Sequence, residues 1–158
     1  MRRMIFITAA LMALAVVPLA SATELTRDEY VSRVEPICKR NTEANKRIFA
    51  GAKGQVKAEQ LKAASTHFTR AVGAFEKTIG QLQAVPPPPS DEAKLGKWIG
   101  YLKVESSYLG RIGKALAKED KAKAQTFSVQ LNRNSNLANN TVLAFGFTYC
   151  KIDPSRFS

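Results

Sequence analysis

Apolar residues along most of this chain recur at steps of three and four positions, with hardly any alternation at two. This period is typical of α-helices that bury one face, and not of strands. Four segments carry it, at about 27–50, 56–84, 91–118 and 121–145, and the connections between them are short. Since a short connection makes the next helix antiparallel, the pattern predicts an all-α fold, an antiparallel up-down-up-down four-helix bundle.

Residues that favour helix starts stand at three of the predicted boundaries. Thr26 and Glu29 form the T-x-x-E pattern of a capping box ahead of the first helix. Ser90 or Asp91 can cap the third helix, and Asp120 can cap the fourth.

Glycine and proline mark the predicted helix ends. Gly51 and Gly54 are expected to end the first helix, and Pro86–Pro89 must end the second because proline cannot continue a helix. Gly146 followed by Phe147 resembles a glycine C-cap with its apolar contact after the fourth helix. Since the proline run acts as a stiff stop, we interpret it as a spacer between helices and not as a ligand for a proline-binding domain.

The first 22 residues have the pattern of a secretory signal peptide. Arg2 and Arg3 precede an apolar run over residues 5–17, and Ala20 and Ala22 fit a cleavage site after Ala22. An uncleaved membrane anchor is the alternative, but the apolar run is shorter than the roughly 20 residues that span a bilayer. The pattern therefore predicts a secreted or extracytoplasmic protein, in the periplasm or cell envelope, with one domain over residues 23–158 and no transmembrane segment after cleavage.

The two cysteines, Cys38 and Cys150, stand near the two ends of the predicted domain. In an exported chain such a pair is expected to form a disulfide, and neither residue belongs to a C-x-x-C redox or metal motif. In a regular bundle, however, the end of the fourth helix is level with Thr26, roughly 18 Å from Cys38 at helical rise. Either the residues before Cys150 fold back or the helices are offset. Pro36 adds a predicted kink or fresh helix start near Glu35.

Positive charge is concentrated in two stretches of the sequence. The whole chain carries +11, and the 22 basic and 13 acidic side chains left after signal cleavage give +9. Residues 43–62 and 111–125 each contribute a net +3, and both surround inter-helix turns that the bundle places at one end. The candidate contacts for an anionic polymer or envelope surface are Lys46, Arg47, Lys53, Lys57, Lys114, Lys118, Lys121 and Lys123.

Two interpretations of this charge stay open. Lysines solubilise exposed turns, and those in the last turn of a helix interact favourably with its dipole. Lys57, Lys121 and Lys123 lie near predicted helix starts, where a cation is mildly unfavourable, and this favours a weak, salt-sensitive contact with a polyanion. The turns contain neither a nucleic-acid-binding motif nor interleaved aromatics, so sequence-specific nucleic-acid binding is not expected.

Most bundle chemistry is disfavoured by composition. All three methionines lie in residues 1–12, and His67 is the only histidine. The sequence contains no C-x-x-C-H motif for haem and no Glu-x-x-His pair for a carboxylate-bridged metal centre. We therefore expect no catalytic residue, no metal and no cofactor, and the chain is predicted not to be an enzyme.

Polar residues near the middle of the predicted helices form a second candidate site. Counting from the turns places Asn41, His67, Ser106 and Asn134 at similar heights in the bundle. Such a polar layer can fix helix register, as a buried asparagine does in coiled coils, or it can line a pocket for a small ligand.

Several short features resemble uncharacterised small secreted helical proteins of actinobacteria with paired N- and C-terminal cysteines. They are Glu29-Tyr30-Val31, Ile37-Cys38, the break at Val85–Pro89, Phe145-Gly146-Phe147 and Cys150. The resemblance covers nearly the whole mature chain; it implies a secreted helical domain and supplies no catalytic residue. The predicted function is a secreted non-enzymatic binding or interaction module that contacts an anionic surface through its basic end. The alternative is a small-ligand carrier that uses the polar layer. The sequence predicts no particular natural ligand or oligomeric state.

Overall fold

Four long helices form an antiparallel up-down-up-down bundle, as the apolar period predicts. The structure is a computed structural model and describes residues 24–153, so the predicted signal peptide lies outside the described part. No strand occurs within residues 24–153. The helices are α1 (Arg27–Ile48), α2 (Ala52–Lys57), α3 (Leu61–Gln83), α4 (Glu92–Ala117) and α5 (Lys121–Thr141), with 3-10 turns at Pro89–Asp91 and Leu143–Phe145.

Two of the predicted caps hold their helices as expected. The Thr26 hydroxyl accepts a hydrogen bond from the Glu29 backbone N–H at 3.3 Å, and the Glu29 carboxylate accepts one from the Thr26 N–H at 2.8 Å. The hydrogen bonds that the Glu29 carboxylate accepts from the Thr26 backbone N–H and hydroxyl lower its pKa. At α5, Asp120 accepts a hydrogen bond from the Lys123 N–H at 2.9 Å. Asp91 precedes α4 without capping its backbone.

The predicted start of the second long helix at residue 56 is wrong. Residues 52–57 form the separate helix α2, and the long helix begins only at Leu61. Gly51 lies between α1 and α2 with a φ of 85°, a left-handed conformation that favours glycine. Gly54, by contrast, lies inside α2 instead of ending α1.

The core is centred on α4, which packs against both α3 and α5. Trp98, Leu102, Leu109 and Ile112 of this helix are all buried. A Cβ atom added at Gly113 would lie 3.0 Å from the Cβ of Phe68, so the small residue allows α3 and α4 to approach closely.

The chain after α5 folds back along α1, and this return brings Cys150 to Cys38. Gly146 turns the chain with a φ of 63°, but it caps the 3-10 turn Leu143–Phe145 and not the fourth helix as expected, because α5 already ends at Thr141 with Val142 as its C-cap. The Glu35 carboxylate then accepts hydrogen bonds from the backbone N–H groups of Thr148 at 2.8 Å and Tyr149 at 2.9 Å. The predicted disulfide is present, with a Cα–Cα distance of 4.9 Å.

Pro36 does not restart the first helix. Helix α1 runs without interruption from Arg27 to Ile48 and contains Pro36. Of the two expected alternatives near Glu35, a kink or a fresh helix start, the continuous helix excludes the fresh start. The adjacent Glu35 side chain is used to hold the returning tail instead.

A bidentate ion pair joins the start of α1 to the start of α4. Arg27 donates to the Asp91 carboxylate through Nε at 2.8 Å and through a terminal nitrogen at 2.7 Å. The Asp91 side chain is only 3% exposed, and the hydrogen bonds from Arg27 lower its pKa. The pair therefore stabilises the fold above the ordinary carboxyl pKa of about 4, and this contribution is lost as the pH falls through the lowered pKa of Asp91.

Replacing Arg27 by methionine is expected to lower the melting temperature at pH 7, because it leaves the buried Asp91 carboxylate unpaired. The difference from the unchanged protein should be smaller at about pH 2, because lowering the pH towards and through the lowered pKa of Asp91 removes the charge that pairs with Arg27. Thermal unfolding followed by circular dichroism measures both values, with the exposed Arg33 changed to methionine as the control. An equal loss at both pH values would contradict the role of the pair.

Candidate functional site

The two basic stretches meet at one end of the bundle. Lys121, at the start of α5, forms an ion pair with Glu59 in the connection before α3. The Nζ atom of Lys62 in α3 lies 3.3 Å from Oε2 of Glu119 in the α4–α5 turn. These two contacts join the α1–α3 connection to the α4–α5 turn, so the charges of both stretches share one surface. We call this surface, formed by residues 46–62 and 114–123, the basic end.

The candidate anion contacts point largely to solvent. All eight are exposed, and within residues 24–153 Lys121 alone among them forms an ion pair. The acidic side chains nearby are partly engaged, since Glu59 pairs with Lys121, Glu119 pairs with Lys62 and Asp120 caps α5. The basic end thus presents seven exposed cations without an ion-pair partner in the described chain, which are Lys46, Arg47, Lys53, Lys57, Lys114, Lys118 and Lys123.

Three of the four residues predicted as a polar layer, His67, Ser106 and Asn134, belong to separate hydrogen-bond groups, and Oδ1 of the fourth, Asn41, has no partner in the described chain. His67 lies against the α1–α3 connection, where Nδ1 contacts the Ile48 carbonyl oxygen and Nε2 is 3.0 Å from Oε1 of Gln55. Ser106 donates to Glu76 of α3 at 3.3 Å. His67 therefore helps to hold the connection on α3.

Asn134 belongs to a different polar cluster, whose centre is Glu105, and Asn41 lines the cavity beside this cluster. The side chain of Asn134 donates to Glu105 Oε2 at 3.0 Å and to the Tyr101 carbonyl oxygen at 2.9 Å. Ser135 donates to Glu105 Oε1 at 2.7 Å. Helix α5 thus holds both carboxylate oxygens of Glu105, while Asn41 approaches from α1 and lines a cavity beside it.

This cavity lies between α1, α3, α4 and the returning tail and has a volume of about 50 Å³. Helix α1 contributes Asn41, Thr42 and Asn45, and α3 contributes Phe75, Thr78 and Leu82. The opposite wall is formed by Trp98, Leu102, Glu105 and Leu109 of α4, and the rim by the disulfide and residues 149–153. We call it the Glu105 cavity.

Glu105 is fully buried, which strongly affects its ionisation. Its relative exposure is 0%, and removal from water raises the pKa of its carboxyl group to about 7 even though Ser135 and Asn134 donate hydrogen bonds to it. Burial disfavours the charged form, whereas these two hydrogen bonds favour it. Near neutral pH the group therefore exists in both protonation states.

Three other polar atoms, all in residues that line the cavity, lack partners within the described chain. They are Oδ1 of Asn41, Oδ1 of Asn45 and Nε1 of Trp98. The residues Asn45 and Trp98 are 8% and 0% exposed. Because a buried polar group without a hydrogen bond costs about 1–3 kcal/mol, three around one small cavity point to an occupant that hydrogen-bonds them.

The sequence reasoning missed Glu105, Asn45 and Trp98 as polar components of a site. Glu105 follows Trp98 by seven residues and Leu102 by three, so it falls on the apolar stripe of α4. Ser106 lies four residues after Leu102, and the apolar period selects it, in place of Glu105, as the residue of this turn that faces the bundle interior. A charged residue in register with Trp98, Leu102 and Leu109 was the available signal.

Comparison of the chain with protein-family models, with curated proteins and with solved structures finds no match. In the described range, none of the helices has the length and apolar character needed to cross a bilayer. Nor are three or more His, Cys, Asp or Glu side chains grouped to hold a metal ion in residues 24–153. The basic end and the Glu105 cavity are therefore the two candidate sites of the described chain.

Proposed function

We propose that this protein is an extracytoplasmic, non-enzymatic binding module that contacts an anionic polymer or envelope surface through its basic end. The observation that supports it most is the meeting of two basic stretches, distant in sequence, on one surface where seven cations have no ion-pair partner in the described chain. The Cys38–Cys150 disulfide is compatible with an oxidising location outside the cytoplasm.

Helix geometry explains some of these cations but not all of them. Lys46 and Arg47 lie in the last turn of α1, and Lys114 lies in the last turn of α4, where the helix dipole favours them. Lys57 was expected near a helix start, but it lies in the last turn of α2, because residues 52–57 form a separate helix, and the dipole therefore favours it as well. Lys123 lies in the first turn of α5, where the dipole disfavours a cation, and Lys53 lies at the start of α2. A polyanion that contacts the surface would offset this repulsion.

Neutral substitutions in the basic end test the proposal through the binding of the protein to a polyanion. The probe is immobilised long-chain polyphosphate, and neutral dextran is the comparison surface. The protein is expected to bind polyphosphate and not dextran, and its affinity should fall steeply between about 0.05 and 0.3 M salt because salt screens exposed charges. Changing four unpaired lysines to glutamine should weaken binding at low salt by about tenfold or more. These four are Lys53, Lys57, Lys118 and Lys123.

A control with the same change in net charge separates the surface from the overall charge. It carries four exposed lysines changed to glutamine away from the basic end, which are Lys77, Lys94, Lys97 and Lys103. This variant should retain most of the affinity of the unchanged protein. Equal losses in the two variants, or binding that does not respond to salt, would refute the basic end as the contact surface.

A further inference from the structure

We propose that the Glu105 cavity binds a small protonated amine that also carries a hydroxyl group, an amino alcohol, with its ammonium group held by Glu105 and the amide oxygens of Asn41 and Asn45. This site is separate from the basic end and does not depend on the function proposed for it. It gives the small-ligand alternative a concrete location, with largely different residues from the predicted polar layer.

The polar atoms of the cavity determine the class of ligand. Oδ1 of Asn41 and Oδ1 of Asn45 are acceptors without donors in the described chain, and they lie on one face of α1 because they are four residues apart. Glu105 faces them from α4 and can accept a charge-assisted hydrogen bond. Three acceptors, one of them a carboxylate, match the three N–H donors of an ammonium group.

Trp98 requires that the same ligand also accept a hydrogen bond. Its indole Nε1–H is a donor only, and it has no acceptor in the described chain. A bare metal cation would leave this donor unsatisfied, since a metal ligand must supply a lone pair. An apolar ligand would leave all three unpartnered atoms unsatisfied. A hydroxyl group on the amine satisfies the indole.

The volume limits the size of the ligand. A cavity of about 50 Å³ has room for about three to five water molecules at roughly 10–15 Å³ each. That is about the number of non-hydrogen atoms in ethanolamine, which we use as the probe. Larger amines would have to displace the rim, where Lys151 and Asp153 reach the surface and the disulfide anchors the tail.

The charged groups around the cavity give binding a defined pH dependence. The cavity faces of α1 and α3 contribute no titratable side chain, and α4 contributes Glu105. The tail adds Tyr149, Lys151 and Asp153 at the rim. Since burial raises the pKa of Glu105 to about 7, the carboxyl must lose its proton when the ammonium group binds. Affinity should therefore be about tenfold higher at pH 8 than at pH 6.

The test is a calorimetric titration of the oxidised, signal-free protein with three molecules of similar size. Ethanolamine has both groups, propylamine lacks the hydroxyl and 1-propanol lacks the ammonium. Ethanolamine is expected to bind saturably with a dissociation constant of roughly millimolar order, because so few atoms contribute. Propylamine should bind more weakly, and 1-propanol should show no saturable binding.

Variants then assign the binding to the cavity. Glu105→Gln should abolish ethanolamine binding at pH 8. If that variant does not fold, Asn45→Ala on the opposite wall of the cavity provides the test, and it should weaken ethanolamine binding. Glu76→Gln removes an exposed carboxylate outside the cavity and should bind as the unchanged protein does. Circular dichroism confirms that each variant is folded.

Three results would overturn the proposal. One is the absence of saturable ethanolamine binding to the folded, unchanged protein. Another is equal binding of 1-propanol and ethanolamine. The third is a crystal soaked in ethanolamine whose cavity contains ordered water alone, which would assign the unpartnered atoms to structural water. None of these results bears on polyphosphate binding, so the two proposals can fail separately.

Discussion

Replacing both Cys38 and Cys150 by alanine is expected to lower the free energy of unfolding by roughly 4–5 kcal/mol, because the disulfide closes a loop of about 100 residues or more in the unfolded chain. The two cysteines are separated by 112 positions, so the bond restricts nearly the whole described domain. Urea denaturation at pH 7, followed by circular dichroism, measures the difference. Reducing the unchanged protein should have a similar effect.

The tail contacts provide an internal control for this prediction. Glu35 accepts hydrogen bonds from the N–H groups of Thr148 and Tyr149, and Asn139 exchanges two hydrogen bonds of 2.8 Å with the backbone of Ile152. Glu35→Gln with the disulfide intact should therefore destabilise the fold much less than loss of the disulfide. Equal stability of the oxidised protein and the double alanine variant would contradict the loop-closure argument.

The long helices could be predicted because their apolar period continues over many turns. Each is at least 21 residues long, so local exceptions do not hide the buried stripe. The ends could be predicted where a side chain makes the cap, as Thr26 and Asp120 do. The placement of both basic stretches at one end followed from antiparallel connectivity alone, and the Lys121–Glu59 pair agrees with it.

Short or tertiary features could not be predicted in this way. Helix α2 has six residues, fewer than two turns, so no period can identify it and Gly54 within it resembles a stop signal. The return of the tail depends on Glu35 meeting the backbone of Thr148, residues that are 113 positions apart. No local pattern reports such a contact. The sequence established only that folding back or a helix offset was necessary.

The Glu105 cavity was missed for a related reason. A glutamate in a helix is ordinarily interpreted as solvent-facing, and only its register with Trp98 and Leu109 places it inside. Its hydrogen-bond donors, Asn134 and Ser135, lie on another helix. The polar layer that was predicted from positions along the helices includes Asn41 and Asn134, but it omits the buried carboxylic acid Glu105.

Glu105 should make the unchanged protein less stable as the pH rises towards neutrality. The pKa of its carboxyl is about 7 in the folded protein, above the value of about 4.3 expected in the unfolded chain. Between these values the folded protein holds a proton that the unfolded chain has lost. The favourable contribution is therefore complete below about pH 4 and is lost as the pH rises through 7, by roughly 4 kcal/mol in total.

The variant Glu105→Gln removes this titration and keeps a similar shape. Relative to the unchanged protein, its free energy of unfolding should therefore rise by about 2.5 kcal/mol between pH 5 and pH 8, whatever constant cost the amide adds through its contacts with Asn134 and Ser135. Urea denaturation at the two pH values measures this change, and Glu76→Gln, which alters an exposed glutamate outside the cavity, is the matched control. Parallel stability profiles for Glu105→Gln and the unchanged protein would mean that Glu105 titrates near its ordinary pKa. In that case water reaches the carboxylate freely, and the proposed pH dependence of amine binding to the cavity is refuted.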